Sequence, residues 1–216
     1  MYVLHGSLGS PYVARVVLAA RHKGLDLKPQ MPADLKSAAY RAINPFAKMP
    51  SLEHQGCAVI ESDVIVEYLE DSAPGPSVLP GGAADRARAR GISRAMDLYV
   101  GTEVSTLFRQ MDPATRDPAV VEAGRARLAD ALAGIDALVV GPWAAGAFSL
   151  ADCTLLPWIV ILHKTVVPVL DVPDPVTTHG NLARWWETTM GEPVTRDFHR
   201  EYAEAFDALL ARLRGG

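Results

Sequence analysis

Two cysteines in 216 residues, Cys57 and Cys153, are too few and too unpatterned for a disulfide framework. They read as buried, reduced thiols of a cytoplasmic protein. Positive charge is not in excess either: 21 Lys and Arg against 25 Asp and Glu leave a net charge of -4. No global basic field therefore recruits nucleic acid or an anionic membrane. The six histidines lack metal-ligand spacing, and the chain has no Gly-rich phosphate loop, nucleophile elbow or internal repeat, so no metal is expected. Its first residues, MYVLHGSLGSP, lack a basic segment followed by an apolar one, so no secretory leader is expected. The most apolar window, Leu155 to Val172, is interrupted by Pro157, His163-Lys164 and Pro168, which argues against a membrane span.

What is present is a core. With 49% hydrophobic residues the chain can bury a sizeable interior in one or two domains. Tyr2 to His5 reads as a short strand. Ser10-Pro11 then opens a helix, Ser being a favoured N-cap and Pro being pre-organised for the first helical position. Val13, Val16, Val17 and Ala20 give that helix its buried stripe, and Gly24 ends it. Leu25 to Pro29 is compatible with a second strand, and Asp34 to Ala42 with a short irregular helix.

The stretch from Asn44 to Asp71 is the most informative. Ser51-Leu52-Glu53 and Cys57 to Ile60 are strand-like runs joined by a turn at His54-Gln55-Gly56. Glu61-Ser62-Asp63 starts a helix whose Val64, Ile65, Tyr68 and Leu69 share a face. Locally, Pro50 is either a trans proline opening a strand or a cis one, and Glu61-Ser62 is either a capping pair or an anion site at a helix N-terminus. The order strand-helix-strand-helix-strand-strand-helix implies a mixed sheet flanked by helices. Ala73 to Gly82 reads as a linker, and everything beyond it as helix.

Asn44-Pro45, Lys48-Met49-Pro50, Glu61-Ser62 and Tyr68-Leu69, in that order, resemble the second half of the thioredoxin-like domain of glutathione transferases. Ser10-Pro11-Tyr12-Val13 stands where glutaredoxins of related fold carry Cys-Pro-Tyr-Cys. Without either thiol, dithiol exchange has no nucleophile and no resolving group. Ser10, followed by Pro, an aromatic residue, Arg15 and Val16, looks most like the tau-type pattern; the omega type has Cys there.

The resemblance implies an α+β glutathione transferase fold. A thioredoxin-like domain with a mixed four-stranded sheet would span 1-75, a linker 76-83, and an all-α domain 84-216. It also implies glutathione as co-substrate, with Ser10 at the sulfur and Ser7 as the rival for that role. Lys36 and Lys48 would reach the glycyl carboxylate, Met49 and Pro50 would form the loop at the cysteinyl part, and Glu61 and Ser62 would hold the γ-glutamyl end. The alternative for Ser10 is a plain helix cap, and for each lysine a solvated surface residue.

In the helical part, stripes at Ile92, Met96, Tyr99-Val100, Val104, Leu107-Phe108 and Met111, and at Val121 to Val139, read mostly as core. Leu8, Tyr12, Tyr99, Phe108 and Met111 are candidates to line a cleft for a small hydrophobic electrophile. Ser149 and Asp152 form a capping box, and Pro157 should bend or interrupt the helix that follows. Arg86, Arg90 and Arg94 share a face, which is either solvated or a homodimer contact answered by Asp63, Glu67 and Glu70 of a second copy. The expected function is a cytoplasmic, homodimeric glutathione transferase. The alternatives are a glutathione-dependent dehalogenase, ether-cleaving enzyme or peroxidase, and a non-catalytic interaction module of the stringent-starvation kind.

Overall fold

β1 (Val3–His5) runs into α1 (Pro11–His22), and the chain returns to β2 (Pro29–Gln30), which pairs parallel to β1. α2 (Ala38–Ile43) precedes the hairpin β3 (Ser51–His54) and β4 (Cys57–Ile60), and α3 (Ser62–Ser72) closes this part. The four strands lie in the order β2-β1-β3-β4, with β3 antiparallel to both neighbours. This computed structural model describes residues 1–214. It divides into two compact units: Met1–Leu79 with the chain from Asp197 onward, and Pro80–Arg196.

The first unit follows the order read from the sequence, with local corrections. β2 is only two residues long, because strand length is set by what β1 offers to pair with, not by the apolar run Leu25 to Leu27. α2 begins later than expected. Ser37 caps it, accepting a hydrogen bond from the Tyr40 amide at 3.2 Å. The hairpin turn is tight, with Gln55 and Gly56 at φ 50 and 79, the left-handed pair a two-residue turn demands. Cys57 opens edge strand β4 beside that turn and is exposed, correcting the expectation of a buried thiol; Cys153 is buried.

Leu4, Val13, Val16, Val17, Leu52, Ile65, Val66 and Leu69 form the core between sheet and helices. The chain expected to act as a linker is partly folded onto this core. Val78 and Leu79 are buried, and Glu70 accepts from the Val78 amide at 2.9 Å and pairs with buried Lys23 at 3.2 Å. Lys23 also donates to the Pro76 carbonyl at 3.3 Å.

The second unit is helical: α4 (Ala83–Ala95), a π-helical turn (Met96–Gly101), α5 (Thr102–Phe108), α6 (Pro118–Leu138), α7 (Leu150–Lys164), α8 (Val166–Leu170), α9 (Pro175–Thr178) and α10 (Gly180–Gly191). The π turn, not legible in the stripe, shifts its phase. Met96, Val100, Val104 and Leu107 stay buried while Tyr99 is 62% exposed. Gly101 permits the Trp158 ring to pack there, since a Cβ would lie 2.8 Å from it, and the indole Nε1–H donates to Asp97 at 3.1 Å. α7 is the core helix and runs through Pro157 without a break; the break comes at Thr165. Its capping box forms as expected, Asp152 accepting from the Ser149 amide at 2.8 Å, and also from the Ala144 amide and Trp185 Nε1. α11 (Pro193–Arg214) belongs, from Asp197 onward, to the first unit, so residues 84 to 214 do not form a single compact body.

Candidate active site

The strand register defines one end of the sheet. His5 pairs with Ser51, Ser51 with Ile60, and His5 with Gln30, so these four residues form a row across the sheet. The chain leaves or enters that row at Gly6, Pro50 and Glu61. With strands about 4.8 Å apart, three loops therefore emerge within about 10 Å of one another. They are the loops that carry Ser7 to Ser10, Lys48 to Pro50, and Glu61-Ser62. Helices α1 and α3 also start there, so two positive helix ends face the same region.

Each loop is held by identifiable contacts. Ser10 N–H donates to the Ser7 carbonyl at 3.0 Å, closing a turn, and Ser10 is the N-cap residue of α1 with extended φ and ψ. Its side chain makes no cap hydrogen bond, so the hydroxyl is not spent on the helix. Gly6 lets this loop lie against its neighbours: a Cβ there would come within 2.6 Å of Val13 and 3.6 Å of the Met49 Cβ.

The Met49–Pro50 peptide is cis. The loop before it is pinned at the Lys48 carbonyl, which accepts from Tyr40 Oη at 2.7 Å and from Asn44 Nδ2 at 2.8 Å. Both groups also reach buried Ser51 Oγ, at 2.9 and 3.2 Å. Tyr40 was missed as a site residue, and Asn44 stood only as a landmark. An asparagine four residues before Lys48 is the signal that a loop carbonyl needs a donor. Lys36 and Lys48 are exposed.

At the third loop the capping pair, one of the two local readings of Glu61-Ser62, is not formed. Glu61 is itself the N-cap residue, exposed, at φ 68, and makes no side-chain cap bond. A left-handed non-glycine residue costs about 1–2 kcal/mol, a cost that functional loops commonly carry. Ser62 is buried, and its Oγ accepts from Arg15 Nη1 at 3.0 Å. Arg15 is only 1% exposed and also pairs with Asp63. Because a helical side chain leans toward its own N-terminus, Arg15 draws the first turns of α1 and α3 together under the two loops. Its donation leaves the Ser62 proton free to be donated outward, and it sets a fixed positive charge beneath the N-terminal end of α3.

The cleft candidates do not gather within either unit. Leu8 is half-buried and Tyr12 exposed in the first unit. Tyr99 lines a groove of about 530 Å³ on the second unit with Leu98, Glu103, Arg127, Ile135 and Leu138, which Phe108 and Met111 do not line. Among the described residues, no group of three or more His, Cys, Asp or Glu is placed to hold a metal ion.

A mixed four-stranded sheet with a cis-proline loop and two helix starts at one end of its strands, followed by a helical unit, defines a thioredoxin-like domain joined to an all-α one. The family profile for the glutathione S-transferase N-terminal domain matches residues 4–77, and that for the glutathione S-transferase C-terminal domain matches residues 118–187. Glutathione S-transferase L3 of Arabidopsis thaliana is 30% identical over 210 residues, covering 94% of this chain and 85% of that one. A probable glutathione S-transferase of Nicotiana tabacum is 37% identical over 103 residues, 47% of this chain and 46% of that one. That match spans under half the length of the tobacco protein. A glutathione S-transferase of Methylobacillus flagellatus, solved with glutathione bound, superposes with a TM-score of 0.74 at 23% identity, covering 92% of this chain and 98% of that one. The chain belongs to the glutathione S-transferase family.

Proposed function

We propose that this protein binds glutathione as the thiolate at this end of the sheet and adds it, through the sulfur, to a small hydrophobic electrophile. The observation that carries the reading is Ser10: an N-cap residue whose hydroxyl does not cap, at the same end of the sheet as the cis-proline loop and Glu61-Ser62. In this reading Glu61 meets the γ-glutamyl ammonium. Ser62 and the α3 N-terminus take the adjoining carboxylate, the Met49 backbone meets the cysteinyl part, and Lys48, with Lys36, reaches the glycyl carboxylate. The thiol gives its proton to solvent water, and the Ser10 hydroxyl and the α1 N-terminus stabilise the thiolate, which forms the new carbon–sulfur bond as the electrophile's leaving group departs. The intact set of binding groups favours an enzyme over a bare interaction module. A cytoplasmic location and the clearing of electrophiles belong to the same proposal.

A homodimer is part of the reading. The support is an apolar groove with Leu98, Tyr99 and Leu138 exposed by 45%, 62% and 43%. Charge contributes less than expected from the arginines, since Asp63 is engaged by Arg15 and Glu70 by Lys23 within the chain.

The test is the ionisation of bound glutathione, read from thiolate absorbance in the ultraviolet as pH is varied. A free thiol titrates near about 8.5. Wild type should hold it lower, Ser10→Ala should raise it and cut turnover with little change in affinity, and Ser7→Ala should do much less. A rise confined to Ser7→Ala would return Ser10 to the role of helix cap.

A further inference from the structure

The turn that carries Ser10 contains a glycine whose presence the turn itself does not explain. Gly9 is buried and is not among the residues with positive φ, so backbone conformation does not require it. Space does. A Cβ on Gly9 would stand 3.1 Å from the Leu209 Cβ, 3.2 Å from Leu209 Cδ2 and 3.2 Å from the Ala205 carbonyl oxygen. All three atoms lie on α11, in the stretch that belongs to the first unit.

The same helix is tied to the far end of α1. Arg21 Nη2 pairs with Glu201 at 2.5 Å, and the Arg21 guanidinium lies over the Phe198 ring at 5.3 Å. Phe198 is buried, and so are Tyr202 and Phe206, which follow it on α11. Moving from Glu201 to Leu209 along α11 therefore corresponds to moving from Arg21 back to Gly9 along α1, so the two helices run antiparallel. α11 therefore passes against the Ser7 to Ser10 turn at Ala205 and Leu209.

We propose that α11 is a working part of the thiolate site. Leu209 and the Ala205 carbonyl abut the turn at Gly9, and so fix where the Ser10 hydroxyl and the first turn of α1 stand relative to the sulfur. Gly9 and Leu209 are positioning residues, and neither touches glutathione. The inference rests on the reading that this turn meets the sulfur. A hydroxyl donor and a helix end both lose effect steeply with distance and angle, so a displacement of a few tenths of an ångström is enough to register. The γ-glutamyl end is held elsewhere and should not feel it.

The experiment titrates bound reduced glutathione in wild type, Ser10→Ala, Gly9→Ala, Leu209→Ala, Leu209→Met and Leu213→Ala, with affinity by calorimetry and unfolding midpoints for each. Gly9→Ala and Leu209→Ala should raise the thiol pKa by about half a unit, lowering the thiolate-to-thiol ratio about threefold at any given pH, at unchanged affinity. Leu209→Met, which conserves volume, should restore the wild-type value, and Leu213→Ala, one turn on and 60% exposed, should match it too.

If Ser10→Ala raises the pKa but Gly9→Ala and Leu209→Ala do not, the role of α11 is overturned. It is overturned equally if those two variants lower only the unfolding midpoint. If the pKa rises in those two variants but not in Ser10→Ala, the reading of Ser10 falls while the positioning by α11 stands, acting through Ser7 or the α1 end. Should Leu209→Ala fail to fold, Gly9→Ala carries the test. A wild type that binds no glutathione overturns both.

Discussion

Replacing Arg15 by methionine should damage stability and ligand binding together. The side chain is 1% exposed and reaches Ser62 Oγ at 3.0 Å and the carboxylate of Asp63. Removing one partner of a buried ion pair costs about 3–5 kcal/mol, because the other charge is left without compensation. The Asp63 side chain is 29% exposed, so water takes up part of that loss, and a cost of about 2–4 kcal/mol is expected. That is a large fraction of the roughly 5–15 kcal/mol by which a domain is stable. The Ser62 hydroxyl would be free to rotate, and the positive charge beneath the α3 N-terminus would be gone. Glutathione affinity should fall about tenfold, the scale of one charge-assisted hydrogen bond. Urea unfolding at pH 7 and calorimetric titration measure the two effects separately. Arg15→Lys should recover only part of either, since an ammonium cannot reproduce the fixed fork of a guanidinium. If Arg15→Met unfolds at the wild-type midpoint and binds glutathione unchanged, the buried pair neither holds the two helix ends together nor orients Ser62.

Glu61→Ala should weaken glutathione binding about tenfold by calorimetry with little change in stability, since alanine keeps the Cβ that makes a positive φ costly; equal affinity would remove Glu61 from the site. Charge reversal at Arg90 and Arg94 should raise the dimer dissociation constant only moderately in sedimentation, about 1 kcal/mol or less per exposed pair, and a monomeric wild type at micromolar concentration would end the dimer reading. Burial lifts the Asp152 carboxyl from 3.8 to about 6 against the donors around it. The folded state therefore holds this proton more tightly than the unfolded one, so the contribution to stability is complete below about pH 3.8 and is lost as pH rises through about 6. It amounts to about 3 kcal/mol across that window, and Asp152→Asn should flatten this part of the pH profile of unfolding.

The order of elements in the first unit was legible because each boundary carries a local signal. Ser10-Pro11 opens α1, Gly56 turns the hairpin, and the apolar runs of β3 and β4 are too short to be helices. Glu61-Ser62 was legible as a candidate site, but its mechanics were not. A capping role for Ser62 is a local inference, and it fails because Arg15, 47 residues earlier, takes the hydroxyl. The signal for that lay in α1, where residues 13–20 are all buried and Arg15 is the one charge among them. A charge in a helix buried on every side must have a partner on a neighbouring element.

The same distinction separates the rest. A stripe such as Phe198, Tyr202 and Phe206 says that a face is covered, but not by what, so α11 read as one more helix of the second unit. Its docking on the first unit is written in Gly9, a small residue at a position whose φ does not call for one. The packing of the Trp158 ring is likewise written in a glycine, Gly101, at the end of the π turn. Such glycines and buried charges are half of a contact whose other half lies far along the chain. A single sequence reveals that something must meet them, and only the fold says which residue does. Here the two unpaired signals nearest the loops of the candidate site, Gly9 and Arg15, turn out to be the points at which α11 and α3 are fastened to the Ser10 loop and helix.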